Sequence, residues 1–168
     1  MKKVIIFGAG QIGRGFIGDI CYHSGYFLIF IDIDKKIVKL LNTKKKYPLW
    51  IIGERKIKKE IENLKCIHFS QVDEIAEEIS HVNLLFTSVG AKNLKSLCPV
   101  IAKGIEKKFS LYPTSYLNIV ICENLIGSSK ILFSEIKKHL PSKFWKYLDE
   151  RVGLVETVVS RMVAPLSD

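Results

Sequence analysis

Apolar residues fall along the chain in short continuous runs separated by stretches with helical spacing. Val4 to Phe7, Phe27 to Ile33, Leu64 to Phe69, Val82 to Val89, Leu117 to Cys122 and Val152 to Val159 each read as a strand covered on both faces, because their apolar character is nearly unbroken. Between them, Ile12, Phe16, Ile17 and Ile20 recur at helical spacing and predict a helix from Gln11 to Ser24, with Gly25 as its stop. Asp34 is placed to cap a helix over 35–41, where Ile37, Val38, Leu40 and Leu41 form one stripe. Ser70-Gln71-Val72-Asp73 has the form of a capping box ahead of a helix carrying Ile75, Ala76 and Ile79. A helix over 91–107 must accommodate Pro99 and Gly104, so a break near Cys98 is expected. Helices over 125–139 and from Ser142 to Glu150 complete the alternation. Only Leu49 to Ile52 and Lys56 to Ile61, around Gly53-Glu54, break it, and they predict an inserted β-hairpin. Alternating strands and helices imply an α/β fold with a doubly wound, mostly parallel sheet of Rossmann type, helices on both faces, in one domain over 1–168.

The first strand runs directly into Gly8-Ala9-Gly10-Gln11-Ile12-Gly13, a G-x-G-x-x-G sequence. In a dinucleotide site, the first glycine makes the tight turn, the second lets backbone approach the pyrophosphate, and the third lets the helix lie close to the sheet. The helix N-terminus adds unpaired N–H groups and a positive dipole end. Asp32 ends the second strand nineteen positions after Gly13, where an acid on the ribose 2'-hydroxyl is called for. A carboxylate there favours NAD over NADP, whose extra phosphate it would repel. Phe7, Gly8, Ala9, Gly10, Gln11, Ile12, Gly13 and Asp32 are therefore the core of a candidate cofactor site, and Arg14 either adds charge near the pyrophosphate or is a solvated helix arginine. Glycines at 15 and 18 inside the same helix cost propensity, so something is expected to pack very close to it.

Two further strand ends bear polar residues at the same carboxyl edge. Thr87, Ser88, Val89 and Gly90 follow one strand and Glu123 and Asn124 another, placing them beside the cofactor. Gly90 reads equally well as a turn residue, and Asn124 as the cap of the next helix.

Composition narrows the function classes. The 168 residues carry 26 Lys and Arg against 17 Asp and Glu, a net charge of +9, but the lysines are spread along helices and loops without interleaved aromatic residues, which argues against nucleic acid. No run reaches the length of a membrane span, and no targeting segment is evident. Cys21, Cys66, Cys98 and Cys122 lack metal or redox spacing, consistent with reduced thiols in a cytoplasmic protein. His23, His68, His81 and His139 all fall away from the proposed crevice, so no general base and no metal set is offered.

The extended block Phe7-Gly8-Ala9-Gly10-Gln11-Ile12-Gly13-Arg14-Gly15-Phe16-Ile17-Gly18, together with Phe30-Ile31-Asp32, Thr87-Ser88-Val89-Gly90, Cys122-Glu123-Asn124, Val152-Gly153 and Arg161-Met162-Val163, resembles the mannitol-1-phosphate 5-dehydrogenases among the polyol-specific long-chain dehydrogenases. The resemblance runs the length of the chain and implies NAD-dependent interconversion of mannitol 1-phosphate and fructose 6-phosphate. It implies as well a helical second domain that holds the catalytic lysine and its Asn and His companions, with no catalytic residue in this chain. Where the family commonly has Asp-Arg, this chain reads Ser160-Arg161. Two classes follow: the cofactor half of an oxidoreductase acting on a polyol or sugar phosphate, or a stand-alone NAD-binding regulatory module. In the first, an apolar docking surface near Val155, Val158, Val159 and Met162 is expected to be exposed and to favour self-association.

Overall fold

The computed structural model describes residues 2–53, 56–161 and 163. Six strands form one parallel sheet: β1 (Lys3–Phe7), β2 (Phe27–Asp32), β5 (Leu64–His68), β6 (Leu84–Thr87), β7 (Leu117–Ile121) and β8 (Val152–Glu156), in the order β5-β2-β1-β6-β7-β8. Counting only these six in chain order, the arrangement is 3-2-1-4-5-6, the doubly wound order, with its switch point between β1 and β6. The hairpin β3 (Tyr47–Ile52) and β4 (Lys56–Ile61) pairs antiparallel and stands apart from the sheet.

Alternation within each strand divides the core into two. Val4, Ile6, Leu28 and Phe30 face the first helix α1 (Gly18–His23), α2 (Lys35–Lys44) and the hairpin; Ile5, Phe7, Ile29 and Ile31 face α3 (Val72–Ser80), α4 (Cys98–Leu111) and α5 (Ser128–His139). Both sets are fully buried, which explains why the strands read as unbroken apolar runs and not as alternating ones.

Helix ends show where local chemistry overrides pattern. Asp34 caps α2 as expected, its carboxylate accepting from Lys36 N at 2.7 Å, but the helix continues past Leu41 until Lys45, in the left-handed region at φ 56°, stops it. The break near Cys98 is present: Ala91–Leu97 winds as a 3₁₀ helix and α4 begins at Cys98 with Pro99 in its first turn, where a proline costs no hydrogen bond. The capping box at Ser70 does not form. Ser70 Oγ instead meets His68 Nδ1 at 2.6 Å, and Gln71 occupies the capping position without a side-chain cap bond. Two expectations shift at the far edge. Asn124 does not cap a helix at 125, because Asn124 (φ 50°) and Gly127 (φ 76°) both take left-handed backbone and α5 starts at Ser128. Its cap comes from the end of β8, where the Glu156 carboxylate accepts from Gly127 N at 3.2 Å, Ser129 N at 2.9 Å and Ser129 Oγ at 2.6 Å. The last strand ends there, at Glu156 and not Val159, and the chain then turns back over α1. A short 3₁₀ turn, Ser142–Phe144, and α6 (Trp145–Arg151) lead into β8.

Candidate functional site at the carboxyl edge of the sheet

The strand register lines up the expected site residues. Phe7 pairs with Ile31 and Thr87, Thr87 with Ile121, and Ile121 with Glu156, so Gly8, Asp32, Ser88 and Cys122 all emerge on one edge at the switch point. Gly8 sits at φ 94°, a conformation other residues rarely adopt, and its N–H donates to Ile31 O at 2.8 Å. Ser88 ties the loop to β6: its N–H donates to Phe7 O at 2.8 Å and its hydroxyl reaches Phe7 O at 3.0 Å and Gly8 O at 3.3 Å. A side chain at Gly13 would collide with the Gly8 carbonyl, so the helix can approach the strand only without one.

Asp32 joins the loop directly, its Oδ2 accepting from Ala9 N at 2.7 Å and its Oδ1 from Asp34 N at 2.9 Å. An ionised carboxylate has about four acceptor positions, so capacity remains for ribose hydroxyls. Gly10 faces open space, with no atom within 4 Å of where a Cβ would stand. The first helical amides beyond it have no intrahelical acceptor. Arg14 adds an orphan: its Nε is buried without a partner among the described residues. An open glycine, free helix-start amides and a spare carboxylate fit a dinucleotide.

At the neighbouring strand ends, Glu123 accepts from Thr87 Oγ1 at 2.6 Å and from Val89 N at 3.0 Å, so it clamps β6 to β7. Phe7, Ala9 and Thr87 are fully buried and bear on the crevice through the strand ends they hold, not through exposed surface. Gly90 (φ 84°) opens the 3₁₀ helix after β6, which accounts for it as a turn residue. Asn124 lies on the same edge as the glycine loop, but its amide is spent on Val159, accepting from its N–H at 2.7 Å and donating to its carbonyl at 3.2 Å. Gln11 and Ile12 open the helix after the loop, Gln11 exposed and Ile12 half-buried.

One histidine is nearer than its sequence position implies. His68 pairs in register with Asp32 at the carboxyl edge, on the side of β2 away from the switch point. Both its ring nitrogens are engaged, by Ser70 Oγ at 2.6 Å and Ile33 O at 3.0 Å. No group of His, Cys, Asp and Glu suited to a metal occurs among the described residues.

Two concavities lie elsewhere. One of about 400 Å³, lined by Phe27, Lys44 to Lys46, Glu62, Asn63 and Leu64, opens at the amino ends of β2 and β5, the edge opposite the glycine loop. The other, about 190 Å³ and mainly apolar, lies under the segment after β8, between Phe16, Ile20, Cys21, Val120 and Val158. Next to it Ile20 is 47% exposed, Val155 45% and Val158 85%; Val159 is half-buried, and Met162 lies outside the described residues. All four cysteines are buried and unpaired, and burial pushes the Cys21, Cys66 and Cys98 thiols up to about 12. No helix among the described residues is long and apolar enough to cross a membrane.

Solved structures with this arrangement include GDP-mannose dehydrogenase from Pseudomonas aeruginosa, at a TM-score of 0.65 and 13% identity over 95% of this chain and 36% of that one. A conserved hypothetical protein from Sinorhizobium meliloti matches with TM-score 0.59 and 11% identity, over 96% and 42% of the two chains. At such identities the likeness is one of fold. Sequence relatives are much nearer: mannitol-1-phosphate 5-dehydrogenase of Thermoanaerobacter pseudethanolicus is 36% identical over 164 residues, and that of Streptococcus pneumoniae 34%. These alignments take in 97% of this chain but only 42% and 43% of the relatives. The family model for the mannitol dehydrogenase Rossmann domain matches residues 2–167, and the chain belongs to that family.

Proposed function

We propose that this chain is the NAD-binding part of a mannitol-1-phosphate 5-dehydrogenase. The observation that carries the reading is the glycine loop at the β1/β6 switch point, tied to Asp32 through Ala9 N at 2.7 Å, with Gly10 open to a ligand. The relatives' activity supplies the reaction: a secondary alcohol of mannitol 1-phosphate becomes the ketone of fructose 6-phosphate as hydride passes to NAD and the hydroxyl proton to a base. Bound NAD provides the hydride acceptor. The residues of this chain have the other tasks. Helix-start amides at 10–13 receive the pyrophosphate, Asp32 receives the ribose, and Ser88, Val89, Gly90, Glu123 and Asn124 shape the nicotinamide end of the crevice.

A base is not among these residues. Glu123 is spent on Thr87 and Val89, and His68 on Ser70 and Ile33. The chain spans about two fifths of its relatives, so proton transfer and polyol-phosphate recognition are assigned to the part of the protein beyond it. The apolar surface around Ile20, Val155 and Val158 is the face assigned to that part, and to self-association without it. The four buried, unpaired thiols support a reduced, cytoplasmic setting.

Calorimetric titration with NADH tests the reading. The wild-type chain is expected to bind, and Gly10→Val to lose binding while melting as the wild type does, because a side chain there meets no protein atom yet fills the ligand's space. A Gly10→Val chain that binds NADH normally would show that the pyrophosphate does not lie on this loop.

A further inference from the structure

The helix after the glycine loop does not begin as an α-helix. Residues Gly13–Ile17 form a π-turn in which Gly18 N–H donates to Gly13 O, five residues back. In an α-helix that N–H would serve Arg14 O, four back, so the turn's extra residue takes the usual donor away from the Arg14 carbonyl. The replacement comes from the inserted hairpin: the hydroxyl of Tyr47, the first residue of β3, donates to Arg14 O at 2.8 Å. The next carbonyl, Gly15 O, accepts from Arg161 Nη1 at 3.3 Å, and the same guanidinium pairs with the buried Asp19 at 2.9 Å. Tyr47 is itself buried, its ring edge-on to Phe30 with centroids 6.1 Å apart. Burial pushes its phenol far above the ordinary tyrosine value, so the hydroxyl stays a donor. Gly15 and Gly18 make the approach possible, since a Cβ at 15 would stand 2.6 Å from Val163 and one at 18 would strike the Tyr47 hydroxyl.

Inserting one residue rotates the helix before the turn by about 100° relative to the part after it. Ile17 and Cys21 bury the later part against the sheet, so the rotation falls on Gln11, Ile12 and Gly13, the first helical residues after the glycine loop, whose amides have no intrahelical acceptor. We propose that Tyr47 is a positioning residue for the dinucleotide, holding the π-turn, and so the direction of the loop amides, through its bond to Arg14 O, with Arg161 and Asp19 bracing the same turn from the segment after β8. The proposal rests on the reading that this loop binds NAD(H), and it gives the hairpin a purpose that the sheet does not require.

The test pairs NADH calorimetry with hydrogen exchange of the unliganded chain. Tyr47→Phe is expected to weaken NADH binding about tenfold, the cost of leaving one carbonyl unpaired. It should also speed exchange at Ile17 and Gly18 while the β1 and β2 amides stay protected. Tyr26→Phe, which takes a hydroxyl from the rim of the same apolar cluster, is expected to change neither. Should Tyr47→Phe fail to fold, the exposed Arg161 serves: Arg161→Ala is expected to speed the same two amides and weaken NADH about threefold, with Arg161→Lys restoring both. A folded Tyr47→Phe chain with wild-type exchange and NADH affinity within about twofold overturns the positioning role alone. A wild-type chain that binds no NADH overturns the functional reading, and the positioning role with it.

Discussion

Lys108 stands among 26 basic side chains, and nothing around it in the sequence separates it from its solvated neighbours Lys103 and Lys107. The structure buries it almost completely, with Nζ donating to Val82 O at 2.7 Å, Asn83 Oδ1 at 3.0 Å and Ser80 O at 3.2 Å. The ammonium thereby closes the C-terminal end of α3, where unpaired carbonyls collect. Burial pulls its pKa below the ordinary lysine value. Its three acceptors nonetheless make it costly to remove. Lys108→Met, which keeps the aliphatic stem but strands two buried carbonyls, is expected to destabilise the chain by about 2 kcal/mol in urea unfolding. An unchanged or higher midpoint would mean that the desolvation of the amine outweighs its bonds. Residues such as Lys108, Tyr47 and Glu156 are illegible from local sequence for one reason: the partners of these hydrogen bonds lie 25 to 33 positions away, and only the fold brings them together. Gly8, Gly13 and Asp32 are legible because their roles are set by the backbone within one strand-loop-helix-strand unit.

Elements sort in the same way. Strands were readable from unbroken apolar runs, and the α4 boundary from Pro99, since both signals act locally. The π-turn was not, for helical periodicity does not distinguish a helix with one inserted residue; what hinted at it was the glycine pair at 15 and 18, for which close packing was expected and is found. The segment after β8 reads as strand from its valines yet leaves the sheet at Thr157, drawn over α1 by the Arg161–Asp19 pair. Burial works against the Asp19 charge, but hydrogen bonds from Arg161 and Lys59 outweigh it and hold the carboxyl below the ordinary aspartate value. A carboxyl with a lowered folded pKa contributes stability above its unfolded value and loses it as pH falls through the folded one. The melting-temperature gap between wild type and Asp19→Asn is therefore expected to be open at pH 7 and to close below about pH 4. A gap that persisted unchanged in acid would mean that the carboxylate's charge is not what holds the segment.

At the scale of the molecule, the parallel sheet with a core on each face is what the alternation of runs and helices implies, and the structure gives it the doubly wound order. The site then falls where such a sheet puts it, at the carboxyl edge beside the switch point. The relatives extend well beyond the match, which covers 42% of the first of them. The chain by itself is accordingly expected to give negligible NADH from mannitol 1-phosphate and NAD, since a placed base contributes about 10²- to 10⁴-fold and substrate orientation more. Turnover approaching that of a full-length relative in the same assay would locate a base within these 168 residues.

The central claim is that the Gly8–Gly13 loop and Asp32 form an NAD site, and parallel titration with NADH and NADPH measures it most directly. NADH is expected to bind the wild-type chain more tightly, with Asp32→Ala weakening NADH and narrowing the gap, because the carboxylate receives ribose hydroxyls and repels a 2'-phosphate. Equal or tighter binding of NADPH by the wild type would contradict the role given to Asp32, and binding of neither would contradict the site.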